Sequence, residues 1–381
     1  MASADFLIVG GGIAGLSAAS RLAAHGRTVV LEGEDALGYH SSGRSVTFSH
    51  YGIGNSAVRG LTSYSRAFFE APPDGFCASP LYRSQASLYV ATEEMTGQLT
   101  ALHAEMARFT DQVEWLDADG VQALCPVLKT GPGGVVRGVV DTSGLRLDAD
   151  ALLQSYAKAT RSRGGEIRTG QRIAAIRRTG QDWLVRTEAG DEWTAPVLVN
   201  AAGAWADQVA LLAGVEPLGL KPMRRTIIVF DPPEGEEVAA WPFVHTAAGD
   251  FYMLPEAGRL LASPVDEIAS DPCDAAPEEY DVALAAAKVE EYTTMPVRRI
   301  AHSWAGLRSF VADRVPTAGF APDAPGFFWL AGQGGYGLQT APAMAEIVEA
   351  LATGGAWPGG LSVLGVEKEQ IEPARLRSGP A

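Results

Sequence analysis

Positive charge is scarce in this 381-residue chain. It has 30 lysines and arginines against 45 aspartates and glutamates, for a formal net charge of −15. Such a balance repels phosphates, so nucleic acid and anionic membrane surfaces are excluded as main partners. Cysteine is scarce too: Cys77, Cys125 and Cys273 are odd in number and far apart. That spacing implies neither a disulfide framework nor a zinc site, and it suits a reducing compartment, most simply the cytoplasm. No apolar run reaches the roughly 18 residues that a spanning helix needs, so no integral membrane segment is expected. The most apolar N-terminal stretch, FLIVGGGIAGLSAAS, has no basic region before it, and its glycines are regularly spaced, unlike a secretory leader. There is no internal repeat of about 20–50 residues and no low-complexity tract.

What is present is glycine, 43 residues of it, and the pattern is informative. A short apolar strand over 6–9 leads into Gly10-x-Gly12-x-x-Gly15, and a helical pattern follows, with Gly26 expected as its C′ residue. TVVLE then forms a second strand ending at Glu32. This is a βαβ unit whose glycines allow a tight turn, close approach to a pyrophosphate and close helix–strand packing. The helix N-terminus beyond Ile13 and Ala14 is positive and suits the phosphates. Glu32 is placed to accept from ribose hydroxyls, and no arginine follows it to hold a 2′-phosphate.

NAD and FAD share this signature, and two further strand–turn–helix units decide between them. VNAAGAWA brings Ala202, Gly203 and Trp205 to one turn. WLAGQGGYGLQT brings Gly332, Gly335, Tyr336, Gly337, Leu338 and Gln339 to another. Three such turns suit a long cofactor lying extended across one sheet, which favours FAD. The helix opening at 337 is expected to face the flavin carbonyls. Residues 216–300 change character, with strand-like RRTIIVF, FYMLP and RLLASP separated by proline-rich turns.

The pieces GGGIAGLSAA, GYHSSGRS, SRAFFEAPPDGFC, VLVNAAGAWAD, LGLKPMRRT, HSWAGLRSFVAD and GFFWLAGQGGYGLQT span nearly the whole chain in order. On them the sequence resembles the D-amino acid oxidase superfamily, most closely D-arginine dehydrogenase-like proteins. The resemblance implies an α/β fold in which a Rossmann-like FAD-binding domain (1–80, 146–215 and 301–381) interleaves with a mostly antiparallel substrate domain (81–145 and 216–300). It also implies a noncovalent FAD and oxidation of a D-amino acid to its imino acid, by hydride transfer from the α-carbon to flavin N5. Arg308, Tyr252 and Arg225 are expected to hold the substrate carboxylate, and Ile173 and Arg308 to touch the cofactor. Arg308 sits in an apolar context (Trp304, Leu307, Phe310) unlike that of an idle surface arginine, and a guanidinium forks onto a carboxylate.

The aperiodic loop YHSSGRSVTFSHYG leaves the carboxyl edge of the sheet soon after Glu32. Its first half is expected to grip the cofactor through Ser41, Ser42, Arg44 and Ser45, with Gly43 allowing close approach. Its second half, with Phe48, His50 and Tyr51, is expected to wall the substrate site. His40 and His50 are its titratable groups. Phe48 and Ser87 stand where D-arginine dehydrogenase-like proteins carry a histidine and a glutamate, so a neutral or apolar substrate is expected. Leu261 stands where sarcosine-oxidase-like relatives hold a lysine for oxygen activation, so the expectation is a dehydrogenase passing electrons to an unidentified acceptor. Ser309 replaces their flavin-linking cysteine. His40-Ser-Ser-Gly43 resembles the flavin-linked histidine of dimethylglycine-dehydrogenase-like members. Oxidation of a secondary amine or a 2-hydroxy acid stays open on the same fold, as does a flavin-binding subunit without turnover. No metal is expected.

Overall fold

The computed structural model describes residues 2–377. Five parallel strands form the heart of a six-stranded sheet, in the order Glu166–Arg168, Thr28–Leu31, Phe6–Val9, Val197–Asn200, Phe327–Ala331. Thr317–Phe320 closes the edge antiparallel. The inner strands read FLIV, TVVL and FFWLA without alternation because both faces are covered. One face buries Ile8, Val30, Val199 and Phe328 against the helices Ile13–Leu22 and Gly337–Thr353. The other buries Leu7, Val29, Leu198 and Trp329 against Trp183, Val185 and Trp193 of a four-stranded sheet.

The second body is a nine-stranded mixed sheet in which Lys221–Phe230, Arg259–Ser263, Tyr252–Glu256, Phe243–Thr246, Ser87–Ala91, Arg137–Asp141 and Val113–Asp117 follow one another. All of these neighbours are antiparallel except Phe243–Thr246 beside Ser87–Ala91. Its outer face packs on the helix Glu279–Tyr292.

Two expectations differ from the structure. The long strand Ile300–Phe310 pairs along Lys221–Phe230, so it belongs to this second sheet, and the parallel sheet resumes only at Thr317. Its hydrogen-bond partner, which the local pattern does not reveal, decides that. Gly26 is not a helix C′ residue: the helix ends at Leu22 and its cap, Ala23, is right-handed. A Cβ at Gly26 would lie 2.6 Å from an Asp5 carboxylate oxygen, so the glycine makes room for the bond from Arg27 N to that carboxylate.

Candidate active site

Three confluent cavities run from the carboxyl edge of the six-stranded sheet to the inner face of the nine-stranded sheet. The distal and middle ones share Gly12, Ser41, Ser42 and Gly203. The middle and substrate-side ones share Arg225, Tyr252, Arg308, Gly335 and Leu338.

The distal cavity is built from backbone. Gly10 has φ +109°, and a Cβ there would strike the Ala201 carbonyl; one on Gly15 would strike the Gly10 carbonyl. The Glu32 carboxylate accepts from Gly11 N (2.6 Å) and Glu34 N (2.8 Å), which pins it on the cavity wall. Ile173, Ala202, Gly203 (φ +56°) and Trp205 line the same space. His40 also belongs to it: the ring lies 4.5 Å from Trp205, and Nε2 is 3.1 Å from Glu34 Oε1. That bond and the Arg172 charge hold the Glu34 carboxyl below its usual range, against the effect of burial. The cradle around Gly12 fits a dinucleotide phosphate, because even a Cβ there would come within 3.2 Å of Ser42 Oγ.

The loop expected to grip the cofactor is in part a strap between the two bodies. Ser41 Oγ donates to Leu307 O (2.6 Å), and Arg44 donates to Ala275 O (2.8 Å), Ala305 O (3.2 Å) and the Asp274 carboxylate. Ser42 Oγ accepts from Ile13 N (3.0 Å) at the first turn of the helix, and Ser45 Oγ accepts from Thr47 N (3.0 Å). Gly43 is exposed and makes a turn, its N–H donating to Gly38 O (2.8 Å). Gly43 therefore differs from expectation, since it lines none of the three cavities, and Arg44, which does line the middle one, already has the carbonyls of Ala275 and Ala305 as partners.

In the middle cavity Ala14, Gly332 (φ +74°) and Gly337, the first residue of the helix Gly337–Thr353, face Arg308. A Cβ on Gly335 would lie 2.9 Å from Arg308 Cζ, so that glycine gives the guanidinium its place. Gln333 also lines this space; its Nε2 is buried without a partner, and the sequence reading passed it over for want of any pattern. Tyr336 donates its hydroxyl to the Arg314 carbonyl, and Gln339 donates to Thr62 Oγ1 (2.7 Å), so both polar ends are committed to packing.

The substrate-side cavity is walled by side chains. Arg225 is 4% exposed, donates from Nε to Asp266 O (2.7 Å) and lies 3.3 Å from Glu267 Oε1. Burial, and then the Arg308 charge, pull its pKa down to about 10. Tyr252 is 3% exposed and its hydroxyl has no partner. Phe48 and His50 both face the space, with ring centroids 5.7 Å apart, and Phe243 packs 4.8 Å from Phe48. Tyr51, in the turn that follows the strand Phe48–Ser49, points the other way: it stacks on Phe109 (6.1 Å) beside Leu99 and Met106 and does not line the cavity. Tyr51 is thus a core residue here. Ser87 lies buried in the sheet, and Leu261 packs in the Tyr252 cluster.

Tyr89 and His245 were missed from the sequence. Tyr89 OH lies 2.6 Å from His50 Nδ1, and the His245 ring stacks 5.1 Å from each. Burial, then the charges of Arg59 and Arg308, push the His50 pKa down to about 3. One carboxylate among the described residues lines this cavity, Glu267, and Arg314 (2.8 Å to both oxygens) and Arg225 already hold it. No helix among the described residues is long and apolar enough to cross a membrane.

A family model described as DAO, FAD dependent oxidoreductase, matches residues 5–351. Among curated proteins the chain is 30% identical over 223 residues to L-2-hydroxyglutarate dehydrogenase of Escherichia coli, covering 56% of this chain and 50% of that one. It is 24% identical over 277 residues to hydrogen cyanide synthase subunit HcnC of Pseudomonas aeruginosa, covering 72% and 64%. The match to the first of these thus spans half of that protein's length. Among solved structures it superposes on FAD-bound L-alpha-glycerophosphate oxidase of Mycoplasma pneumoniae with TM-score 0.82 at 20% identity, covering 93% and 95% of the two chains. It superposes on glycine oxidase of Geobacillus kaustophilus with TM-score 0.80 at 21% identity, covering 93% and 96%.

Proposed function

Because this chain belongs to the DAO family of FAD dependent oxidoreductases, with FAD as its cofactor, we propose that it oxidises the α-carbon of a small D-amino acid with a neutral side chain, giving the imino acid. Arg308 carries this reading: its guanidinium lies in the cavity without a hydrogen bond or ion pair among the described residues, facing the unpartnered Tyr252 hydroxyl. An unpaired guanidinium in a protein cavity calls for an anion, and a substrate carboxylate forks onto it. FAD, when bound, would supply the acceptor for the hydride, which carries both electrons. The chain's part is to fix the carboxylate with Arg308, Tyr252 and Arg225, to aim the α-carbon, and to exclude water behind Phe48 and Phe243.

The neutral side chain rests on Glu267, which two arginines already saturate and which has no charge left for a basic substrate. The D configuration, the likeness to D-arginine dehydrogenase-like proteins and an acceptor other than oxygen rest on the motif resemblance alone. A second reading is a 2-hydroxy acid. It is favoured by the relative at 30% identity and by the two neutral histidines on the wall, since an alcohol must give up a proton as it is oxidised.

The test is anaerobic mixing of the FAD-loaded protein with D- and L-alanine, leucine, methionine, phenylalanine and arginine, with sarcosine and with 2-hydroxyglutarate, following flavin absorbance. Fastest bleaching by a neutral D-amino acid is expected. Fastest bleaching by D-arginine or by 2-hydroxyglutarate would overturn the first reading, and the latter would install the second.

A further inference from the structure

The nine-stranded sheet sets a row of polar side chains across its inner face. Strand register places Tyr89 opposite His245, His245 opposite Tyr252, and Tyr252 opposite Ser263. Directly opposed residues share one face, so the row is a single stripe. Tyr89, His245 and Tyr252 line the substrate-side cavity.

His245 is the member without a task. His50 has Tyr89, 2.6 Å from its Nδ1, whereas His245 Nε2 is buried with no partner. Among the described residues four rings pack around it: Phe243 at 3.9 Å, His50 and Tyr89 at 5.1 Å, Tyr252 at 5.9 Å. A buried polar atom left unmatched costs free energy, and a site that tolerates the cost usually uses the atom.

Oxidation at a carbon bearing O–H or N–H has two halves. The C–H bond breaks and its electron pair leaves with the hydrogen, which is the cofactor's half. The other half is a proton: an alcohol loses its O–H proton as C=O forms, and a substrate ammonium loses one N–H proton to free the lone pair that forms C=N, and either proton needs an acceptor. We propose that His245 accepts that proton, and that the substrate's own carboxylate readies it by covering the Arg308 charge. This deepens the proposed function and rests on it for the substrate class.

The electrostatic surroundings fit. Burial, then His50 and Arg308, hold His245 in its neutral form. Facing it are Tyr89 and Tyr252 from the flanking strands, and His50 from the loop. Arg308 comes from Ile300–Phe310, and Arg225, with Glu267 as its partner, from Lys221–Phe230 of the same sheet. Among these only Glu267 is anionic, and it is spent on Arg225 and Arg314. A carboxylate docking on Arg308 is therefore the charge that changes at this site on binding. Cancelling a nearby cation raises a histidine's affinity for a proton. An empty site would keep the base disarmed, and an occupied one would arm it.

The probes are substrates that cannot react. 2-Hydroxy-2-methylpropanoate and 2-amino-2-methylpropanoate have no α-hydrogen, and 2-hydroxy-2-methylpropanamide also lacks the charge. In the FAD-loaded protein with ¹⁵N-labelled histidine, the His245 signals are assigned by comparison with H245Q and titrated with pH. Either carboxylate probe is expected to raise the proton affinity of His245 by about tenfold or more, with no shift from the amide. H245Q is expected to slow flavin reduction by about 100-fold or more while the carboxylate probes bind within a factor of about three. A carboxylate probe that binds without moving the His245 titration overturns the proposal, as does a H245Q enzyme that reduces flavin at the parent rate. If the probes move His245 but no acid of the panel bleaches the flavin, it is the substrate reading that has failed.

Discussion

The two ends of the ligand channel are made of different material. The cofactor end is backbone: glycines at 10 and 15 that a Cβ would block, and helix N-termini at 13 and 337. The substrate end is side chain: two arginines, two histidines, three tyrosines and two phenylalanines delivered from distant parts of the chain. A backbone site tolerates little change in shape and any change elsewhere. A side-chain site changes specificity by single substitutions.

The sharpest way to break this comparison is Arg308→Ala. Losing the unpaired guanidinium should lower kcat/KM by about 1,000-fold, some 4 kcal/mol, with flavin content unchanged. Equal loss of flavin would mean that the two ends are not separable. Gly15→Ala should do the reverse: overpacking against the Gly10 carbonyl should cost about 3 kcal/mol and appear as lost flavin and a lower Tm. Normal flavin stoichiometry in that variant would remove the steric account of the third glycine.

Arg44→Ala asks whether the strap joins the ends. Losing the bonds to Ala275 and Ala305, one side of which is solvent-screened, should cost about 2 kcal/mol in thermal unfolding and leave the flavin spectrum as it was. The buried histidines predict an acid limb. His50 is held near 3 in the folded chain and returns toward 6.5 on unfolding, so the unfolded state binds the extra proton between those values. Stability should fall as pH drops below 6.5, by at most about 1.4 kcal/mol per unit for this ring, and His50→Gln should flatten the slope seen by chemical denaturation. The smallest effect is expected from Tyr252→Phe. Removing one neutral donor to a carboxylate should raise KM less than about tenfold and spare kcat, by steady-state kinetics on the best substrate of the panel.

Legibility followed the same division. Gly10, Gly12, Gly15 and Glu32 were readable because the turn, its helix and its acid are local, within one βαβ unit. The continuous apolar strands read correctly because burial on both faces removes alternation. The loop from 39 to 52 was readable as a cavity-lining loop but not in detail. Arg44 spends its guanidinium partly on the Ala275 and Ala305 carbonyls, and Tyr51, in the turn after the strand Phe48–Ser49, lies in the core and not in the wall. Tyr252 was legible by resemblance, but Tyr89 and His245 beside it had no signal, since residues so far apart share no local pattern.

The sequence by itself determined the family and the cofactor, because both are carried by residues whose chemistry or spacing is local. Only the tertiary structure decided which polar groups were already spent and which were free. Glu267 could be discounted as a counter-ion only once Arg225 and Arg314 were seen on it, and His245 became a candidate only once its nitrogen was seen without a partner. Whether a hydrogen bond is satisfied depends on both of its ends, and here the far end lies on another strand.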